Sequence, residues 1–344
     1  MSNTVIECVP NISEGRDLEK IHRIVDAARV EGVKILGVEP DPDYNRTVIT
    51  FAGTSDGVEH AAVALITKAI EEIDMRSHSG EHPRMGCVDV CPFIPISKAT
   101  MEDCVALAQR VAEQISTLNV PVFLYGYAST HADRNKLSSL RKGEYEGLAD
   151  RFSNTTTIHG ETTRLPDLGS TDWNLTSQKS GGVTIGARDI LLAYNVNIDD
   201  PEPKIAQQIG SLVRSSGRLI KSSNGIDKFR TRGLLDSVQG MGVALESHNI
   251  SQVSMNLQNY RITNLHQAFD TIDSLCSDMG SATKGSEIVG LVPLESLLEA
   301  GKWYSKKEMS VEEYIAVAIE SLGLNSISPF NPNKRIIEWA IQED

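Results

Sequence analysis

The sequence predicts an α/β protein built as two subdomains. Segments with the two-residue repeat of strands alternate with segments that have the spacing of amphipathic helices. At 344 residues, the chain is longer than one ordinary hydrophobic core supports. The alternation also stops at 150–182 and then restarts. We therefore predict an α/β (α+β) fold with subdomains 1–185 and 186–344, each a mixed β-sheet with helices packed on it.

The first half alternates regularly between short apolar segments and longer amphipathic ones. Ile21, Ile24 and Val25 recur on one helical face, and Thr100 precedes another amphipathic segment as a favourable N-cap. We expect strands at 4–10, 33–39, 46–53, 88–96 and 120–126, and helices at 17–30, 55–74 and 99–116.

The stretch 150–182 is polar, rich in Thr, Ser and Gly, and has no periodicity. Such a length is typical of a binding loop or a disordered linker. Trp173 and the preceding PDLG (166–169) argue against a pure linker. Beyond it we expect a hairpin joined near His248 and Asn249. The predicted strands are 189–198, 233–247, 251–262 and 287–294, and the helices 202–216, 265–280, 294–303, 311–323 and 333–343.

The composition excludes several classes of protein. A formal net charge of −13 argues against a nucleic-acid or anionic-membrane binder, because both need a broad basic surface. No apolar run has the length that a bilayer requires, and the N-terminus lacks the features of a signal peptide. Five cysteines are few and odd in number, as expected for reduced thiols in a cytoplasmic protein. GxxxxGK[ST], GxGxxG and GxSxG motifs are absent, so we predict no nucleotide cofactor.

The stretch HSGEHPRMGCVDVCPFIP (78–95) contains four side chains that bind metals in other proteins. They are His78, His82, Cys87 and Cys91. In a strand, Cys87 and Cys91 would share a face with Asp89 and lie roughly 13 Å apart, too far for one metal. We therefore predict no metal site, and both cysteines as small buried apolar residues.

His82 is the best candidate for chemistry in this stretch. It lies in a Gly-Glu-His-Pro-Arg turn before a buried strand, where rigid scaffolds present reactive groups. A histidine can serve as general acid and base near neutral pH, and a carboxylate partner would raise its pKa. A purely structural role for His82, and a catalytic role for His78, are the alternatives.

Ten blocks, in order along nearly the whole chain, resemble the formiminotransferase domain family. They are ECVPNISEGRD (7–17), YNRTVITFAG (44–53), IDMRSHSGEHPRMGCVDVCPFIP (73–95), VPVFLYGYA (120–128), LRKGEYEGL (140–148), PDLG (166–169), GGVTIGARDILLAYNVNI (181–198), SQVSMNL (251–257), GSEIVGLVPL (285–294) and SISPFNPNKRIIEW (326–339).

The resemblance implies glutamate formimidoyltransferase activity in histidine degradation and one-carbon folate metabolism. The formimino group of N-formimino-L-glutamate would pass to N5 of tetrahydrofolate, the co-substrate, whose polyglutamylated forms are further expected substrates. The resemblance further implies a ligand groove between the subdomains, a homodimer, no metal and no cyclodeaminase domain. Nucleic acid and membranes are not expected partners.

The resemblance also assigns roles to individual residues. His82, in GEHPRMG, matches the catalytic histidine. Glu39 matches an acidic partner that is usually Asp in the family. The folate-binding segment corresponds to 169–181, and its middle, STDWNLTSQKS, departs from the family pattern, as does Tyr127. The expected folate-binding residues are Gly169, Ser170, Lys179, Ser180, Gly181 and Gly182.

Formimino transfer needs proximity and proton transfer, because the amidine carbon is already activated. Both substrates are anionic, so an acidic protein must supply local cations. Arg84, two residues from His82, and Arg46 are expected to bind substrate, with Asn11 and Asn45 as hydrogen-bond donors. Solvated surface charge for the arginines, and turn-forming roles for the asparagines, are the alternatives. Formyl transfer between 5-formyltetrahydrofolate and glutamate, or folate binding without catalysis, are the alternative functions.

Overall fold

The computed structural model describes residues 4–80, 82–153, 165–221 and 228–342, and describes Asp133 only through its backbone. The chain divides into two compact units, Met1–Asp189 and Ile190–Asp344. The expected division after residue 185 would cut a strand, Val183–Ala187, that is paired on both sides to its last residue. Among the described residues, no helix is long and apolar enough to cross a membrane.

The first unit is built on a mixed seven-stranded sheet. Its strands are β1 (Val5–Cys8), β2 (Asn11–Ile12), β3 (Val33–Asp41), β4 (Arg46–Gly53), β5 (Val88–Ser97), β6 (Val122–Gly126) and β7 (Val183–Ala187). β1 and β2 occupy the same position, between β4 and β5, and the sheet continues outward to β3 on one side and to β7 and β6 on the other. Pro10, which lacks an N–H, lies where this central strand is interrupted. β5, β7 and β6 are parallel, and the other pairings are antiparallel.

Three long helices build the core of the first unit. α1 (Leu18–Ala27), α2 (Ser55–Glu72) and α3 (Met101–Ser116) share one hydrophobic cluster with the sheet, which contains Phe51 and Phe93. Thr100 caps α3 in a capping box, as predicted from the sequence. Sequence analysis missed the short helices α4 (Leu137–Leu140), α5 (Leu148–Ser153) and α6 (Leu175–Ser180), because segments this short show no helical period.

The elements of the second unit are β8 (Leu192–Ile198), α7 (Lys204–Val213), β9 (Arg218–Lys221), β10 (Lys228–Thr231), β11 (Val238–Leu245), β12 (Ile250–Leu257), α8 (Leu265–Asp278), β13 (Thr283–Val289), α9 (Leu294–Tyr304), α10 (Val311–Ser321), α11 (Pro332–Arg335) and α12 (Ile337–Ala340). Four of these strands form an antiparallel sheet in the order β11-β12-β8-β13. The predicted hairpin, β11–β12, is confirmed, with Asn249 left-handed (φ 52°) at its turn. A second hairpin, β9–β10, was not predicted, because its exposed, charged strands bury no apolar face.

Cys87 and Cys91 are fully buried in the core of the first unit, in agreement with the apolar role predicted for them. The expectation that they share a face with Asp89 is wrong. The register between β2 and β5 shifts at this point, and Asp89 is the extra residue of the resulting bulge. Its carboxylate accepts hydrogen bonds from Arg141 instead. Within the described ranges, no three His, Cys, Asp or Glu side chains gather closely enough to hold a metal ion.

We predict that Gly181→Ala destabilises the first unit more than Gly143→Ala does. Both glycines have positive φ, 65° and 91°, so each substitution carries a backbone cost of about 1–2 kcal/mol. A Cβ at Gly181 would lie 2.3 Å from the Met85 carbonyl oxygen, whereas one at Gly143 meets nothing closer than 3.6 Å. Overpacking should add about 1–3 kcal/mol at Gly181 alone. Denaturant unfolding of both variants measures the difference, and equal losses would contradict the close approach.

Candidate functional site

The candidate residues lie at one edge of the first unit's sheet, because the strands that they precede begin at that edge. β5, β7 and β6 are parallel and therefore begin at the same edge. β4 runs in the same direction as β5, because both pair antiparallel with β2, and β3 ends there with Asp41 opposite Arg46. We call the loops at this edge, 41–46, 78–87, 166–169 and 181–182, the site edge.

The loop that contains His82 is joined to the expected folate-binding segment through backbone hydrogen bonds. The N–H of Cys87 donates to the Ser180 carbonyl at 2.7 Å, and the N–H of Gly182 donates to the Met85 carbonyl at 2.9 Å. Gly86 and Gly181 form a β-bridge between them. Two segments that are about 95 residues apart in sequence are therefore held side by side.

His82 is half-buried and lies beside a cation. Its Nε2 is 3.1 Å from Arg46 Nη1, and its ring meets Tyr44 edge-on, with centroids 6.4 Å apart. A guanidinium only donates, so Nε2 accepts and the imidazole proton lies on Nδ1. Burial, and then the charge of Arg46, lower the pKa of His82 to about 4. At neutral pH the imidazole is therefore uncharged and able to take a proton.

Arg46 has a hydrogen-bonding group that the described residues leave unused. Its Nη1 also donates to Asn11 Oδ1 at 3.2 Å, and its guanidinium lies 5.6 Å from the Tyr44 ring centroid. Its Nε is buried and has no acceptor among the described residues. Buried donors are seldom left unpaired, so this N–H singles out Arg46 among the candidate residues, and substrate binding by Arg46 stays a prediction. Asn11 contacts Arg46 through its side-chain oxygen and so orients that cation.

The carboxylate that influences His82 is Asp41. Its charge opposes the lowering of the His82 pKa, and its side chain begins an Asx turn by accepting from the N–H groups of Asp43 and Tyr44. Glu39 is exposed and lies opposite Val48, two residues farther from the site edge along β3. The role of Glu39 as the partner of His82 stays a prediction. Sequence reasoning missed Asp41, although its position at the start of the turn DPDY was a usable signal.

Arg84 is buried and already paired with carboxylates. Its guanidinium makes a bidentate contact to Glu146, at 2.8 and 2.7 Å, and a 3.3 Å contact to Glu144. Its Nε donates to His78 Nδ1 at 3.2 Å. Expected from the sequence as a substrate-binding cation, Arg84 instead directs its donors to these protein groups.

Asn45 is buried in a left-handed conformation (φ 49°) with both ends of its side chain in use. Oδ1 accepts from the N–H of Gly15 at 3.0 Å, and Nδ2 donates to the Ser79 carbonyl at 2.8 Å. Asn45 therefore ties its own loop to the loop before α1 and to the loop that contains His82, and its role in substrate binding stays a prediction.

The expected folate-binding segment, 169–181, lies wholly within the described residues, whereas 154–164 of the polar stretch 150–182 lies outside them. Gly169 has φ 78°, and a Cβ there would lie 1.9 Å from the Val120 carbonyl oxygen. Ser170 and Ser180 bond locally, to the carbonyl oxygens of Asp172 and Gly181. Lys179 Nζ donates to the Glu71 carbonyl at 2.8 Å. Gly169, Ser170 and Ser180 are thus occupied by backbone geometry or local bonds, and folate binding by the six expected residues stays a prediction.

Comparison with known proteins identifies the family. The model of the "Formiminotransferase domain, N-terminal subdomain" matches residues 5–188, and that of the "Formiminotransferase domain" matches 193–342. "Formimidoyltransferase-cyclodeaminase" of Dictyostelium discoideum is 41% identical over 348 residues, which cover 99% of this chain and 61% of that protein. The chain therefore spans about three fifths of that longer relative.

Shorter relatives match over most of their own length. "Glutamate formimidoyltransferase" of Thermoplasma acidophilum is 39% identical over 305 residues, which cover 88% of this chain and 92% of the relative. The protein of the same name from Streptococcus pyogenes is 36% identical over 306 residues, 88% of this chain and 94% of the relative. With both family models matched in order along the chain, this protein belongs to the formiminotransferase domain family.

Proposed function

We propose that this protein is a glutamate formimidoyltransferase. It transfers the formimino group of N-formimino-L-glutamate to N5 of tetrahydrofolate and yields 5-formimidoyltetrahydrofolate and L-glutamate. The observation that carries the proposal is the uncharged His82 beside Arg46, in a chain whose similar-length relatives bear that name. The bacterial and archaeal relatives support a cytoplasmic location, and the family resemblance supports a homodimer.

His82 has the properties that the proton transfers require. N5 of tetrahydrofolate attacks the amidine carbon, a C–N bond forms, and the N5 proton must leave. An uncharged imidazole accepts that proton, and the imidazolium then donates it to the glutamate nitrogen as the original C–N bond breaks. Burial and Arg46, which keep the pKa low, make the imidazolium a strong acid for the second step.

Arg46 links substrate binding to the availability of His82. Arg46 Nη1 occupies the lone pair of His82 Nε2 in this structure. A substrate carboxylate that binds the guanidinium, including its unpaired Nε, would compete for the Nη1 hydrogen bond while the guanidinium stays beside the imidazole. The lone pair then becomes free to accept the N5 proton. Asn11 orients Arg46, while Asn45 and Arg84 hold the loops rather than the ligand.

A transfer assay tests the proposed reaction. Purified protein is mixed with tetrahydrofolate and either N-formiminoglutamate or N-formylglutamate, and the folate product is identified by mass. A 5-formimino product supports the proposal. A 5-formyl product alone would establish formyl transfer instead, and folate binding without any product would indicate a non-catalytic folate-binding protein.

We predict that His82→Ala lowers the transfer rate by about 10²- to 10⁴-fold, the usual contribution of general acid–base catalysis. Folate affinity, measured by fluorescence titration, should change little. His60→Ala is the matched control, because His60 is exposed on α2 in the same unit. A His82→Ala variant with near-normal turnover would remove His82 from the mechanism.

We predict that the imidazole of His82 titrates near pH 4 in the unliganded protein, well below the ordinary histidine pKa of 6.5. Arg46→Gln removes the second-largest cause of the lowering, so the titration should move upward, while burial keeps it below 6.5. NMR titration of the ring protons measures both values. If Arg46→Gln leaves the titration midpoint of His82 unchanged, the charge of Arg46 does not lower the pKa of His82.

We predict that Lys179→Ala weakens tetrahydrofolate binding about two- to fivefold, as expected for a partly exposed ion pair, and more for polyglutamylated forms. Lys136→Ala, at an exposed lysine of the same unit, serves as the control. Calorimetric titration gives both dissociation constants. Equal constants for Lys179→Ala and the unaltered protein would show that this lysine does not contact folate.

A further inference from the structure

Four groups form a continuous line of hydrogen bonds from the protein surface to the loop that contains Arg46. Glu146 holds Arg84 through two contacts, 2.8 and 2.7 Å. Arg84 Nε lies 3.2 Å from His78 Nδ1, and His78 Nε2 lies 3.0 Å from the Asn45 carbonyl oxygen. Arg46, the residue after Asn45, contacts His82.

The partners determine the protonation of His78. Arg84 can only donate, so Nδ1 must be the acceptor and the proton must lie on Nε2. Nε2 then donates to the Asn45 carbonyl oxygen. This uncharged tautomer is the one form that satisfies both contacts, because a proton on Nδ1 would face the guanidinium of Arg84. His78 is half-buried, and burial lowers its pKa and so favours the uncharged form at neutral pH.

The hydrogen bond from His78 strengthens the contact between two loops, 41–46, which contains Arg46, and the loop that contains His82. Asn45 Nδ2 donates to the Ser79 carbonyl at 2.8 Å, so the loops are bonded in both directions. A Cβ on Gly80 would lie 2.4 Å from the Tyr44 carbonyl oxygen, so only glycine permits this approach. Tyr44 and Arg46, on either side of Asn45, are the residues that contact His82.

We infer that His78, oriented by Arg84 and Glu146, is a positioning residue that holds Arg46 against His82. This inference rests on the proposed function for its catalytic consequence, but its structural part can be tested separately. The hydrogen bonds of His78 go to Arg84 and to the Asn45 carbonyl oxygen, not to His82 or Arg46. It acts through the Asn45 backbone, and a small displacement there would misplace both catalytic side chains.

The charges around His78 come from three segments. Arg84 lies on its own loop, and Glu144 and Glu146 pair with Arg84 from the segment after α4. Glu14 and Arg16, from the loop before α1, have opposite effects on its pKa. The side chain of Glu14 is itself bonded to Lys20 at 2.6 Å, so it is not a free partner for His78.

The experiment compares two substitutions that each preserve one contact. His78→Gln keeps a donor near the position of Nε2 and can still bond the Asn45 carbonyl oxygen. His78→Asn keeps an acceptor near Nδ1 for Arg84 but cannot reach Asn45. His22→Gln and His22→Asn, at an exposed position on α1, are the matched controls.

We expect His78→Asn to lower kcat about 100-fold, because misplacement of catalytic groups is costly, with a smaller change in KM. His78→Gln should stay within about tenfold of the unaltered protein, since one hydrogen bond changes. NMR titration of His82 provides a readout without activity. Its pKa should rise from about 4 in His78→Asn, because Arg46 no longer stays beside it, and should stay near 4 in His78→Gln.

Unchanged kcat and an unchanged His82 titration in His78→Asn would overturn the inference. Absence of transfer by the unaltered protein would instead overturn the proposed function, and the titration would still test the positioning role. If His78→Asn does not fold, Glu146→Gln tests the same line from its exposed end. Glu146→Gln should lower kcat and raise the pKa of His82, each by less than His78→Asn does. If both kcat and the His82 pKa stay unchanged, the inference is contradicted.

Discussion

The central strand position of the first unit determines where the candidate site residues lie. β1 and β2 pair antiparallel with β4 on one side and β5 on the other, so β4 and β5 must run in the same direction. The loops that precede them therefore emerge at the same edge of the sheet. Because of this constraint, Arg46, at the start of β4, meets His82, in the loop before β5. The parallel strands β6 and β7 bring the PDLG and Gly-Gly segments to that edge as well.

Arginine–carboxylate pairs stiffen the loops at this edge. Arg84 joins Glu146, and Arg141 joins Asp89, which also accepts from the N–H of Met85. Buried charges are costly to desolvate, and burial raises the pKa of Asp89 despite the nearby arginine. Such pairs contribute less to net stability than their contacts suggest. Their geometric specificity explains their presence here, because they hold backbone segments in position around His82.

The surroundings of His82 are more basic than the chain as a whole, as the proposed anionic substrates require. A net charge of −13 describes the whole chain, whereas the neighbours of His82 that lower its pKa are Arg46, Arg141 and Arg84. Two of these arginines are matched by carboxylates, and Arg46 is the one with a buried donor left without an acceptor among the described residues. Local charge at a ligand site therefore depends on pairing, not on composition.

The sequence by itself determined the α/β class, most long helices and strands, the cap at Thr100, the burial of the cysteines and the family, because periodicity and ordered motifs are local properties. It also singled out His82 and Arg46. The sequence did not determine which arginines pair with carboxylates, because the pairing of Arg84 with Glu146 joins positions 62 residues apart. Tertiary structure likewise decided the influence of Asp41 on His82, the bulge at Asp89 and the contact of His78 with Asn45. Each depends on strand register and loop packing, which bring together residues that no local pattern connects.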